Sequence, residues 1–246
     1  MSISKIFKES LAIARGNPLI FIPMLLASIF SALVGLIFVG SAVPMMHGLS
    51  ADQIAANPEQ ALAGAGAAAG GMLLFSIISG LVGLLTHSMT VGMADMAFQG
   101  EKATLKNGWA RIVSRIVPVL IASILMGIII GLGMIFLVLP GIILAFFLMF
   151  TLIAVVVSNL GAFQAIGRSF STVGKNFGAT FITFLIIIGL AILTGLLNFI
   201  ISLIPFLGVV LSMIVFAIFT GFVTIFLVRV YQEMDLSSDT SPEVEA

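Results

Sequence analysis

Apolar residues in this chain gather into six long runs, at 19–43, 72–97, 116–139, 142–157, 177–204 and 206–230. A helix crossing a hydrocarbon core of roughly 30 Å needs about 20 apolar residues. Backbone groups cannot stay unpaired in lipid, so the pattern predicts six membrane-spanning helices and an all-α fold. Pro44, Pro140 and Pro205 punctuate the runs and are read as turn residues that fold the spans into three helical hairpins. Between the first two runs, residues 44–71 are polar or rich in alanine and glycine, and they include Asp52, Asn57, Pro58 and Glu59. This stretch is read as an enlarged loop.

A second periodicity precedes each hairpin. Apolar residues fall at Phe163, Ile166, Phe170, Val173 and Phe177, and again at Leu105, Trp109, Ile112 and Ile116. Steps of three and four mark one face of a helix. An offset of 61 lays the last four of the first set on the second without a gap. An offset of 159 lays Phe7, Ser10, Leu11 and Asn17 on Ile166, Ser169, Phe170 and Asn176. The chain therefore reads as one six-span domain, 1–231, built of pseudo-repeats 1–100, 101–161 and 162–231. Each is a short amphipathic helix followed by two spans. All three face the same way, with any symmetry axis along the membrane normal, as in parallel-repeat transporters. The competing reading is that any membrane hairpin entered through a basic interfacial helix looks like this. Lys and Arg opposite Phe, Trp and Ile are the pattern of helices lying in the headgroup plane.

Charge adds orientation. The ten basic residues are Lys5, Lys8, Arg15, Lys102, Lys106, Arg111, Arg115, Arg168, Lys175 and Arg229, and six spans put all of them on one side. The positive-inside rule then places both termini in the cytoplasm, with the protein in the cell membrane. Residues 232–246 hold five acids and no base, and are read as a disordered cytoplasmic tail. Val39-Gly40-Ser41 offers small residues for signal cleavage, but the apolar run before it is too long for a signal peptide. Hydrophobic types make up 61% of the chain and charged types 8%, against about 25% charged in a soluble domain. That composition excludes a soluble globule. The absence of cysteine excludes disulfides, thiolate metal sites and a Cys nucleophile. A formal net charge of zero gives no field that would draw nucleic acid.

Two ionisable side chains fall within spans, His87 and Asp95. Such groups are expensive in a bilayer and default to functional candidates. Ser76, Gly80, Gly83, His87, Thr90 and Ala94 repeat at helical spacing, which turns His87 toward neighbouring helices. It is either a proton relay or substrate contact, or a neutral ring hydrogen-bonded across the bundle. Asp95 lies eight residues on, too far to touch His87, and is expected to pair with Arg111, Arg115, Arg168 or Lys175. Asn198, with Thr194 and Ser202 at spacing four, is read as an amide that holds helices together. Trp109, Arg111, Arg115, Arg168 and Lys175 are candidate contacts to lipid headgroups. Gly127 and Gly131 have the spacing of a close-packing pair. No HExxH, GxSxG, P-loop or GxGxxG pattern occurs, so neither a catalytic centre nor a cofactor is expected.

Leu139-Pro140-Gly141-Ile142-Ile143-Leu144, Ala165-Ile166-Gly167-Arg168-Ser169-Phe170 and Asn176-Phe177, with Thr104-Leu105 opening a basic segment, carry a resemblance. They resemble a broad, poorly characterised prokaryotic family of six-span membrane proteins. That family includes the membrane domain fused to some glycerophosphoryl diester phosphodiesterases. The resemblance covers most of 1–231 and implies a six-span domain without established catalytic residues. The phosphodiesterase domain of the fused members has no counterpart in these 246 residues. The expected function is a non-enzymatic membrane module that interacts with lipid or serves as an accessory scaffold. The alternative is a small transporter or channel using the polar face of span two. Membrane lipids are the expected partners. A membrane protein or a second copy of the chain are further candidates, and nucleic acid is not expected.

Overall fold

Helix formation follows the apolar runs closely in the computed structural model, which describes residues 2–47, 57–204 and 207–239. Helix α1 (Ile3–Gly16) leads through a 3-10 turn (Pro18–Phe21) into α2 (Ile22–His47). Helix α3 (Pro58–Phe98) precedes the short α4 (Leu105–Val113). Then come α5 (Ile116–Phe136), α6 (Val138–Leu148), α7 (Thr151–Val157), α8 (Ala162–Lys175), α9 (Phe177–Ser202) and α10 (Leu207–Asp239). Six helical stretches are long and apolar enough to cross a membrane: Pro18–Ile37, Pro58–Phe98, Ile116–Phe136, Val138–Val157, Phe177–Ser202 and Leu207–Leu236. No strand occurs among the described residues. The protein is an all-α, polytopic membrane protein.

Four details differ from the sequence reading. Residues 58–71 are helical rather than loop, because alanine is the best helix former and offsets the roughly 1 kcal/mol cost of each glycine. The resulting α3 has 41 residues and is about 61 Å long. Pro44 lies inside α2 rather than in a turn. Pro140 sits in the first turn of α6, where a missing N–H leaves no bond unmade, and the reversal is made by extended Leu137 (φ −166°, ψ 143°). Finally, α10 runs to Asp239, so the first half of the predicted disordered tail is helix. Asp52 and Pro205 lie outside the described residues.

The chain divides into two units, Leu26–Leu84 and the remainder. In the first, a Cβ on Gly35 would lie 4.0 Å from the Phe75 ring, so its two helices run side by side there. In the second, α5 packs on α6 and α9 on α10. The α5–α6 contact is close: a Cβ on Gly133 would come within 2.9 Å of the Gly141 Cα. The core of this unit is built from three buried stretches, Val91–Ala97 of α3, Ile153–Val156 of α7, and Thr224–Phe226 with Val228, Val230, Tyr231 and Met234 of α10. All three lie near the basic ends of their helices. Ile192, Leu193, Leu196, Leu197, Phe199 and Ile200 of α9 are exposed.

Candidate functional site

The three short helices dock through small residues. On α1 the buried residues are Ile6, Ser10 and Ala14; on α4, Gly108 and Ile112; on α8, Ala162, Ala165, Ser169, Thr172 and Val173. Ser10, Gly108 and Ser169 are equivalent under the sequence offsets, and so are Ala14, Ile112 and Val173. The predicted apolar stripe is only partly the docking face: Ile112 and Val173 are buried in it, whereas Phe163 is 75% exposed and Trp109 52%. Close approach between helices needs small side chains, and that requirement overrides the larger apolar residues beside them.

Helices α4 and α8 each sit on the second span of the preceding hairpin, and α1 sits on the second span of the last one. Gly108 of α4 meets α3, where an added Cβ would lie 2.7 Å from Met93 Cγ. Helix α8 packs on α6 and α7. Helix α1 packs on α10, with the Phe7 ring edge-on to Phe222 and Phe226 at 5.3 and 5.7 Å.

The α8 contact explains why span four is interrupted between Leu148 and Thr151. The Ser169 hydroxyl donates to the Phe147 carbonyl at 2.7 Å and accepts from the Phe150 N–H at 3.2 Å. It thereby takes a donor that would continue the helical ladder, and an inserted side chain of this kind breaks a helix.

Around these docked helices the basic end carries a network of charges. Arg111 Nη2 donates to Asp95 Oδ2 at 2.5 Å, and Gln232 Nε2 donates to Asp95 Oδ1 at 2.7 Å. The Asp95 side chain is 1% exposed. A carboxylate so buried is tolerable only with such partners. Arg111 also reaches the Val156 carbonyl at 3.4 Å, which ties α3, α4, α7 and α10 together. Arg168 pairs with Asp235 at 2.6 Å. Arg229 takes Glu9 and Glu233, each at 2.8 Å, and lies 5.5 Å from the Phe98 ring centroid. The Ser158 and Tyr231 hydroxyls are 2.7 Å apart. Asn159 holds a left-handed backbone (φ 55°), and its carbonyl accepts from Arg115 Nη1 at 2.9 Å. An open cavity of about 510 Å³ lies in this network, lined by Asp95, Gln99, Arg229, Tyr231, Gln232 and Asp235 among others.

The predicted site residues are therefore not gathered in one place. His87 stands apart from Asp95, with Nδ1 3.5 Å from Thr224 Oγ1. Thr224 donates its own hydrogen to the Thr220 carbonyl at 2.8 Å, so it is left to accept from a ring N–H. Asn198 does not bridge helices: its amide donates to Thr194 O at 3.1 Å within α9, and its Oδ1 is buried without a partner. Of the five candidate headgroup contacts, Arg111 and Arg168 are engaged by carboxylates and Arg115 by a main-chain carbonyl. Trp109 and Lys175 are exposed.

Glu9, Arg229, Gln232 and Asp235 were not singled out as site residues in the sequence, and Tyr231 was read only as an interfacial aromatic. The signal was present in α10, where Tyr231 and Met234 continue the buried face of Val228 beyond the apolar run. Among the described residues no three His, Asp or Glu side chains lie close enough to hold a metal ion. Against family models, curated proteins and solved structures the chain finds no match, so its site is read from its own chemistry.

Proposed function

We propose that this protein is a non-enzymatic, multi-pass module of the cell membrane whose basic end faces the cytoplasm and engages anionic lipid of the inner leaflet. The observation behind this reading is a division of labour among the bases. Arg111, Arg168 and Arg229 are held in internal ion pairs. Lys8, Arg15, Lys102, Lys106 and Lys175 are exposed and make no ion pair among the described residues. Arginine's planar fork suits the internal carboxylates, whereas lysine is a flexible, hydrated point charge suited to a moving surface. On α1 the exposed Lys5, Lys8, Ala12 and Arg15 follow at steps of three, four and three, opposite the buried Ile6, Ser10 and Ala14. Each base near an anionic leaflet adds about 1 kcal/mol of attraction. Duplication of one hairpin unit would account for the equivalent docking residues, and the family resemblance fits the same six-span reading.

A small transporter or channel is the second reading. It is favoured by the break in span four and by the buried, unpartnered hydroxyls of Ser88 and Thr151. Lipid co-purifying with the detergent-extracted protein decides between them. Enrichment of anionic lipid over the host membrane, lost when Lys8, Arg15, Lys102, Lys106 and Lys175 are all changed to Gln, is the expected result. Lipid of host composition in both proteins would remove the first reading.

A further inference from the structure

We infer that the α4–α5 segment holds one anionic phospholipid, with its phosphate at Lys102 and Lys106, its glycerol region against Trp109, and an acyl chain along the exposed face of α5. The inference rests on the lipid reading above and names one site for it. Its first support is a fixed headgroup end. Thr104 Oγ1 caps α4 by accepting from the Asn107 N–H at 3.2 Å, and the Asn107 side chain donates to the Lys102 carbonyl at 3.3 Å. The backbone carrying Lys102 is thus pinned to the helix that carries Lys106. Gly108 and Ile112 anchor α4 from the opposite side.

The second support is the outward face itself. Lys106, Trp109 and Val113 are exposed at steps of three and four, so charge, indole and aliphatic carbon succeed one another along one surface. Beyond the turn at Ser114 and Arg115, α5 exposes Val117, Ile121, Ile124, Ile128 and Leu132 at steps of four, three, four and four. That face extends about 22 Å without a polar side chain. An indole between bases and an aliphatic face matches the order of phosphate, glycerol and acyl chain in a phospholipid. Glu101 is the opposing charge on the connector and leaves the excess positive.

Trp109 is the only tryptophan, so its fluorescence reports this site alone. The full chain is reconstituted in phosphatidylcholine vesicles. Quenching is then compared between phosphatidylglycerol and phosphatidylcholine carrying brominated acyl chains. The anionic lipid should quench at several-fold lower mole fraction. Joint Lys102→Gln and Lys106→Gln should remove most of that preference, and Glu101→Gln should raise it. Lys5→Gln with Lys8→Gln should leave it unchanged. Equal quenching by the two lipids in the unmodified protein overturns the site, as does a preference that survives the double variant. If co-purifying lipid stays anionic while Trp109 shows no preference, this site falls and the broader reading stands. If both vanish, both fall.

Discussion

The two ends of the larger unit are built on opposite principles. At the basic end, helices α3, α7 and α10 are buried for one or two full turns, and the ion pairs Arg111–Asp95, Arg168–Asp235 and Arg229–Glu9 tie α3 and α10 to the short helices. At the far end, Ile135 and Phe136 are each 80% exposed, and no side chain between Ser123 and Thr151 is polar. In water the far end would be unstable. In lipid it is not, because acyl chains are as apolar as leucine and give helices no hydrophobic reason to pack. The association of the hairpins therefore resides in the basic end, where small-residue docking and ion pairs operate. The far end needs only to match the bilayer.

That contrast predicts unequal mutational costs. Arg111→Gln leaves the buried Asp95 carboxylate without its cation, and breaking a buried pair in this way costs about 3–5 kcal/mol. The joint change Arg111→Gln and Asp95→Asn should recover part of that loss. Ile192→Ala on the exposed face of α9 should stay within about 0.5 kcal/mol. Thermal unfolding of the detergent-solubilised variants makes the measurement. Equal losses at the two ends would break the comparison.

A smaller difference should separate two serines. Ser169 satisfies both Phe147 O and Phe150 N–H, whereas exposed Ser202 donates only to Phe199 O in its own helix, at 2.7 Å. Ser169→Ala should cost about 1–3 kcal/mol by leaving buried backbone groups unpaired, and Ser202→Ala a few tenths. Hydrogen exchange at Phe150 sharpens the test. Faster exchange in Ser169→Ala is expected. Retained protection would mean that the helix has closed over the break and that Ser169 did not hold it open.

What could be read from the sequence divides along the same line. The spans were legible because length and apolarity alone decide them. The pairing of Asp95 with a base was legible because an isolated carboxylate at that depth is too costly to leave alone. The docking faces were not. Ser10, Gly108 and Ser169 carry little hydrophobic signal, so a stripe drawn through Phe163 and Trp109 outweighed them. The helical extension through Gln232 and Asp235 was hidden because an acidic segment reads as solvated until its partners Asp95 and Arg168 are in place. Arg111 and Arg168 were assigned to lipid for the same reason, since sequence alone does not show which bases are already engaged.

Among Arg111, Ser169 and His87 the smallest effect is expected at His87, although a histidine within a span looks like the most informative residue in the chain. Its contact to Thr224 is long, at 3.5 Å, and Thr224 keeps its stronger bond to Thr220 O whatever stands at position 87. Hydrogen bonds between membrane helices are worth about 0.6 kcal/mol on average. A glutamine amide can still donate to the Thr224 hydroxyl, so His87→Gln should shift stability by less than that amount. His87→Leu should cost slightly more, because it leaves that oxygen without a donor. Both lie well below Arg111→Gln, and the order Arg111, Ser169, His87 is the one the contrast between the two ends requires. If His87→Gln instead abolished solute uptake into vesicles while unfolding at the unmodified temperature, the ring would be acting on a transported species. The second reading of function would then take precedence over the lipid one.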